Sequence, residues 1–256
     1  MNKFTRIASA AALSFAAIAT QSAQAAQAAP VRNVVLVHGF FADGSGWKGV
    51  ADILARDGYK VSVVQQPETS LGEDVKAVTR AVDAQEGSSI LVGHSYGGMV
   101  ITEAGNNAKV AGLVYVAAFQ PKAGESLKAL ADKMPPATKG IKATPDGHLY
   151  FDAALFHADF AADLPAAHAR FMALSQVTPA VQAATAAVAQ AAWKTKPSWA
   201  IVSRDDRTVN PDLERFMAKR AGSKTVEIAG SHVAFIAHPD QVAKVIEQAA
   251  AAAGGK

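Results

Sequence analysis

The pentapeptide Gly93-His94-Ser95-Tyr96-Gly97 lies between the apolar run "SSILV" and the helix-compatible run "GMVITEA". A serine in such a place is either a turn residue or a nucleophile, and the spacing argues for the second. Gly-x-Ser-x-Gly between a strand and a helix makes a turn so sharp that the serine takes a strained backbone and lifts its hydroxyl clear of the sheet. A β-carbon at residue 93 or 97 would collide with its neighbours, which explains glycine at both.

A serine hydroxyl attacks only when a base removes its proton, and the base needs an acid to orient it. In this strand-turn-helix arrangement the order along the chain is serine, acid, histidine. Downstream of Ser95 stand His148, His157, His168, His232 and His238. The first three fall in a strand-poor region, and His238 directly precedes a helix-starting proline. His232, in "AGSHVAFIAHP", follows the last strand-like run, where a loop can swing an imidazole over the sheet. The acid should follow the preceding strand, and "AIVSRDDRTVNP" offers Asp205 and Asp206. Successive residues leaving a strand diverge, so only one can face His232. Asp206 is preferred; the other carboxylate is expected in solvent or against Arg204 or Arg207. The charge developing on a tetrahedral intermediate needs two main-chain N–H donors. Tyr96, just after the nucleophile, and Phe40, in the loop "VHGFFADGSGW", are the candidates, with His38 expected to order that loop.

These residues need a frame. Apolar runs at residues 32–38, 60–65, 89–92, 111–117, 198–203 and 224–229 read as strands. Helical spacing at 47–57, 72–85, 95–106, 211–220 and 239–253 fills the gaps. Strands alternating with helices predict an α/β protein, a mostly parallel sheet of about six strands with helices on both faces. Residues 121–196 break the pattern. They hold no convincing strand, are rich in alanine, and carry Phe151, Phe156, Phe160 and Phe171. They read as a helical cap over the carboxyl ends of the strands, where open α/β sheets bind ligands. The stretch 180–192 is expected to be helix within it.

Half of the 256 residues are hydrophobic and 18% are charged, so a large core is within reach. Residues 1–25 have a basic start (Lys3, Arg6), an apolar middle and an Ala23-Gln24-Ala25 end, the anatomy of a secretory signal peptide. The apolar middle is short for a membrane span. A periplasmic or secreted protein without a stable membrane anchor is expected. Without Lys3 and Arg6 the net charge of +3 falls near +1, with no basic run to attract nucleic acid. The chain has no cysteine, which excludes disulfides, thiolate catalysis and Cys-ligated metal.

The segments "LVHGFFADGSGW", "LVGHSYGGMVITEA", "GLVYVAAFQPKAGES", "DRTVNPDLERF" and "GSHVAFIAHPDQVAKVI" together resemble the α/β-hydrolase superfamily. The nearest branch is the plant-type methyl-esterase and hydroxynitrile-lyase group with its exported bacterial relatives. The resemblance spans residues 26–256 and is weakest over the cap. It implies a cofactor-free, metal-free Ser-His-Asp hydrolase with Ser95, His232 and Asp206 in those roles. Hydroxynitrile lyases of this group carry threonine after the first-strand histidine and lysine after the catalytic one; here stand Gly39 and Val233. Without that cation cyanide release lacks an electrostatic partner, so hydrolysis of small to medium apolar esters is expected. Phe41, Phe119, Phe151, Phe156, Phe160 and Val233 are the candidates for the substrate pocket. Lactonase, amidase, haloperoxidase and C–C lyase chemistry run on the same triad and stay open, as does a receptor with little turnover.

Overall fold

The computed structural model of the chain describes residues 31–254, and the expected signal peptide lies outside them. The described residues begin with β1 (Asn33–Val37), a 3-10 turn (Gly44–Trp47), α1 (Lys48–Arg56), β2 (Lys60–Val64), α2 (Leu71–Asp83), β3 (Ser89–His94), α3 (Gly97–Ala104) and β4 (Val110–Val116). An excursion follows: α4 (Leu127–Lys133), β5 (Ile141–Ala143), β6 (Leu149–Phe151), α5 (Ala153–Phe160), α6 (Ala166–Ser175) and α7 (Val181–Thr185). The chain then returns through β7 (Ser198–Ser203), α8 (Pro211–Ala221), β8 (Lys224–Ile228), α9 (Ala234–Ala237) and α10 (Pro239–Ala253).

Six strands pair in the order β2-β1-β3-β4-β7-β8, every neighbour parallel. All residues of β1 and β3 are buried, as a sheet covered on both faces requires. The edge strands are wetter and carry Lys60, Lys224 and Glu227, charges that discourage pairing with another edge. Helices α1 and α10 pack together, as do α2 and α3. The connection from β1 to β2 runs one way and those from β2 to β3 and β3 to β4 the other. Right-handed crossovers therefore put the two helix pairs on opposite faces. That reversal opens a crevice at the carboxyl ends of β1 and β3, where the elbow and the Phe40 loop meet.

Local chemistry sets the helix ends. The Ser70 hydroxyl accepts from the Glu73 N–H at 3.2 Å, and the Asn210 side chain accepts from the Asp212 N–H at 2.9 Å. Pro211 follows at the first helical position, where its missing N–H costs nothing. Each cap is worth about 1 kcal/mol. Gly222, at φ 68°, ends α8 in a left-handed conformation that a β-carbon would strain.

The excursion departs from expectation twice. It contains strands: β5 and β6 pair antiparallel around Pro145-Asp146-Gly147, with Gly147 at φ 85°. The turn chemistry is present in the sequence, but flanking strands of three residues carry too little periodicity to read. Helix in 180–192 is confined to α7. Beyond it the Val188 N–H donates to the Glu125 carbonyl (3.0 Å) and the Glu103 carboxylate accepts from the Ala189 N–H (2.7 Å). Partners distant in sequence thus take backbone groups that a helix would have paired internally.

The excursion grips both loops that leave β7 and β8. The buried Asp159 carboxylate, on α5, accepts from Arg207 (2.6 Å) and from the Thr138 hydroxyl (2.7 Å). The Asp163 carboxylate accepts from the Ser231 N–H (2.8 Å) and the Ser231 hydroxyl. Among the described residues no helix is long and apolar enough to cross a membrane.

Candidate active site

Ser95 sits between the end of β3 and the start of α3 with φ 52°, a left-handed backbone that a non-glycine residue rarely adopts. The surroundings enforce it. A β-carbon on Gly93 would lie 2.6 Å from the Gly97 carbonyl carbon. One on Gly97 would lie 2.7 Å from the carbonyl oxygens of Val37 and His38. The Ser95 N–H donates to the Val116 carbonyl (3.2 Å), and its carbonyl accepts from the N–H groups of Gly98 (3.0 Å) and Phe119 (3.1 Å).

The turn presents Ser95 Oγ 2.9 Å from His232 Nε2, and His232 Nδ1 lies 2.6 Å from Asp206 Oδ2. All three are buried, and the imidazole is fully so. The other Asp206 oxygen accepts from the N–H groups of Thr208 (2.7 Å) and Val209 (2.9 Å), so the carboxylate is held at both ends. Facing that carboxylate, Nδ1 carries the imidazole proton and Nε2 is left to accept from the serine. The Phe160 ring stands edge-on to the imidazole at 5.0 Å, closing that side to water.

Asp205 points elsewhere. Its carboxylate accepts from the Gly230 N–H at 3.0 Å, bracing the loop that carries His232, while Arg207 is taken by Asp159. Asp205 is exposed, as expected, and the partner it has is main chain rather than Arg204 or Arg207. His238 is half-buried with no bond to Ser95, and His157 Nε2 meets the Leu164 carbonyl (3.0 Å). His148 pairs with Asp146, and His168 lies on the surface.

The main-chain N–H groups of Phe40 and Tyr96 donate to no acceptor among the described residues. They belong to the two segments that close on Ser95. A β-carbon on Gly39 would meet the Ser95 Cβ at 2.5 Å, so the Phe40 loop comes this near only with glycine there. Next to Phe40, Phe41 takes φ 64° and packs its ring edge-on against Phe151 (5.7 Å) and Phe160 (6.4 Å).

A cleft of about 410 Å³ opens beside the site, with Phe41, Met172, Val233, Phe235 and Ile236 among its walls. Phe41 and Val233, the chain neighbours of Phe40 and His232, stand in its wall, whereas Ser95 and His232 themselves do not line it. Two of the expected pocket residues line it. Phe151, Phe156 and Phe160 are fully buried and pack on one another behind Phe41. Phe119 is core, and its main chain braces the elbow.

Sequence reasoning missed several buried polar groups here. His94 Nε2 donates to the His232 carbonyl at 2.9 Å; burial, then the neighbouring His232, push its pKa well down and keep it neutral. Burial, then the charge of Asp206, push the Glu214 carboxyl well up. Neither position is marked in the sequence, because no periodicity shows that a polar residue faces inward.

Glu68 is fully buried at φ 55°, 3.3 Å from His38 Nδ1. Nδ1 also faces the Gly39 carbonyl at 3.1 Å, the contact with which His38 orders the loop. Burial pushes the Glu68 carboxyl up from 4.5 to about 7. The folded chain therefore binds the extra proton between those values, and stability falls as pH rises through that window, by roughly 3 kcal/mol in all. Glu68→Gln removes this titration. Its melting temperature should match the parent near pH 5 and exceed it by several degrees at pH 8. Parallel melting curves at both pH values would contradict the assignment.

Comparison with known proteins agrees with this architecture. Over 120 residues the chain is 40% identical to a carbendazim hydrolyzing esterase from Nocardioides sp. (strain SG-4G), covering 41% of this chain and 49% of that one. The match thus spans about half the length of that relative. A pyrethroid hydrolase from Sphingobium faniae JZ-2 superposes with a TM-score of 0.73 at 21% identity, covering 86% of this chain and 97% of that one. A methylesterase from Arabidopsis does so at 0.70 and 17% identity, over 86% and 98%. These two likenesses speak for the fold. A model of the alpha/beta hydrolase family matches residues 34–245, and the chain belongs to that family.

Proposed function

We propose that the protein is a serine esterase acting on small to medium, largely apolar carboxylic esters. The observation that carries this reading is the unbroken line Ser95 Oγ, His232 Nε2, Nδ1 and Asp206, two hydrogen bonds of 2.9 and 2.6 Å. His232 takes the hydroxyl proton as Ser95 attacks the ester carbon. The oxyanion forms against the N–H groups of Phe40 and Tyr96, and the collapse of the intermediate expels the alcohol, to which His232 returns the proton. Water then adds to the acyl-enzyme by the same route and releases the acid. Asp206 stabilises the imidazolium formed in both halves.

An apolar substrate is favoured by the walls of the cleft. Hydrolysis is favoured over cyanohydrin cleavage because Val233 stands beside His232 and offers no charge to a departing cyanide. The names of the carbendazim esterase and the pyrethroid hydrolase are consistent with esterase chemistry. In the same reading residues 121–196 form the cap, and residues 1–25 direct export to the periplasm or beyond.

Nitrophenyl esters of graded acyl length test the reading. Turnover is expected to rise with chain length and then fall once the acyl group outgrows a cavity of about 410 Å³. Failure to hydrolyse any of them, with turnover of a lactone or an anilide instead, would replace it.

A further inference from the structure

Tyr96 offers more than a main-chain N–H. Its ring is fully buried, and its hydroxyl donates to Asp74 Oδ2 at 2.6 Å. Asp74, in the first turn of α2, is itself fully buried. Its other oxygen accepts from the Glu68 N–H at 2.7 Å, so both ends of the carboxylate are fixed. On the opposite side the Tyr96 ring stacks on the Phe40 ring, centroids 3.9 Å apart and planes within 20°. The two residues whose N–H groups are unpartnered beside Ser95 are thus stacked ring on ring, and one of them is bolted to a buried carboxylate.

Packing alone does not call for this arrangement. Leucine and phenylalanine of similar volume would fill the space without withdrawing a carboxylate from water, and such replacements are often neutral or stabilising. A helix-anchored hydrogen bond does what an apolar contact does not: it fixes the ring along its axis and in rotation.

We propose that Asp74 is a positioning residue for the oxyanion hole, holding the Tyr96 phenol and, through the stacked pair, setting the N–H groups of Tyr96 and Phe40. The inference rests on the esterase reading, in which those groups bind the oxyanion. Removing an oxyanion donor outright costs about 100- to 1000-fold in kcat, so loosening two should cost about 10-fold or more.

Tyr96→Phe tests this, since it keeps the stack on Phe40 and deletes only the bond to Asp74. The expected result is a kcat about 10-fold lower with KM within about twofold, because the hole binds charge present only in the transition state. Affinity for a trifluoromethyl ketone, whose hemiketal with Ser95 places an oxyanion in the hole, should fall by a similar factor. Affinity for the corresponding alcohol product should not change. Asp74→Ala should act in the same direction, the double variant should cost no more than the larger single, and Asp74→Asn should recover part of the loss. Should Asp74→Ala not fold, Tyr96→Phe and Asp74→Asn decide alone. If Tyr96→Phe keeps kcat and ketone affinity within twofold while Ser95→Ala abolishes turnover, the positioning role is overturned and the esterase reading stands. If Ser95→Ala retains turnover, the esterase reading itself falls.

Discussion

Ser95→Ala is expected to lower kcat for an activated ester by about four to six orders of magnitude, leaving only what binding and the oxyanion donors supply without a nucleophile. The folded state should hardly notice. The hydroxyl makes one side-chain hydrogen bond, to His232, and alanine meets the same strained φ of 52° that serine already tolerates. KM should stay near the parent value, because Oγ is a small part of the contact surface. The acyl-enzyme should disappear from intact-mass spectra of enzyme quenched during turnover, since no oxygen remains to carry it. Retention of most of the activity in a variant with an unchanged melting temperature would remove the mechanism.

The second large effect separates two adjacent carboxylates. Asp206→Asn should lower kcat by about three to four orders of magnitude. An asparagine turned to keep the Thr208 and Val209 N–H bonds on its oxygen presents its NH2 group to His232 Nδ1. That favours the tautomer with the proton on Nε2, leaving nothing to accept from Ser95. Asp205→Asn should cost no more than a few-fold, because the amide oxygen can still accept from the Gly230 N–H. Steady-state kinetics on the two purified variants decide the matter, and a larger loss at 205 would reverse the assignment.

Much of the frame is legible in the order of residues. The inner strands are apolar runs bounded by helix signals, and a both-sides-buried parallel strand has few other ways to look, while the edge strands β2 and β8 mix polar with apolar residues. Asn210 and Pro211 mark the start of α8, and the paired glycines around Ser95 mark the elbow. The excursion is harder. Alanine is at home in helix and in tight packing alike, so 180–192 reads as helix, while Glu103 and Glu125 hold residues 188–190 out of helix. Its phenylalanines read as pocket wall, yet three of them form a buried cluster that supports Phe41 from behind.

The strand-helix alternation and the strained turn at Ser95 are written in local sequence, since each depends on neighbours within a few residues, and the arrangement around that turn then sets the order of serine, acid and base. Tertiary structure alone decided which of two aspartates meets His232, which aromatics touch the cleft, and that Asp74, Glu68 and Glu214 lie inside. Those outcomes depend on the direction a side chain takes once distant segments have packed, and a polar residue looks the same in the sequence whether it ends in water or in the core.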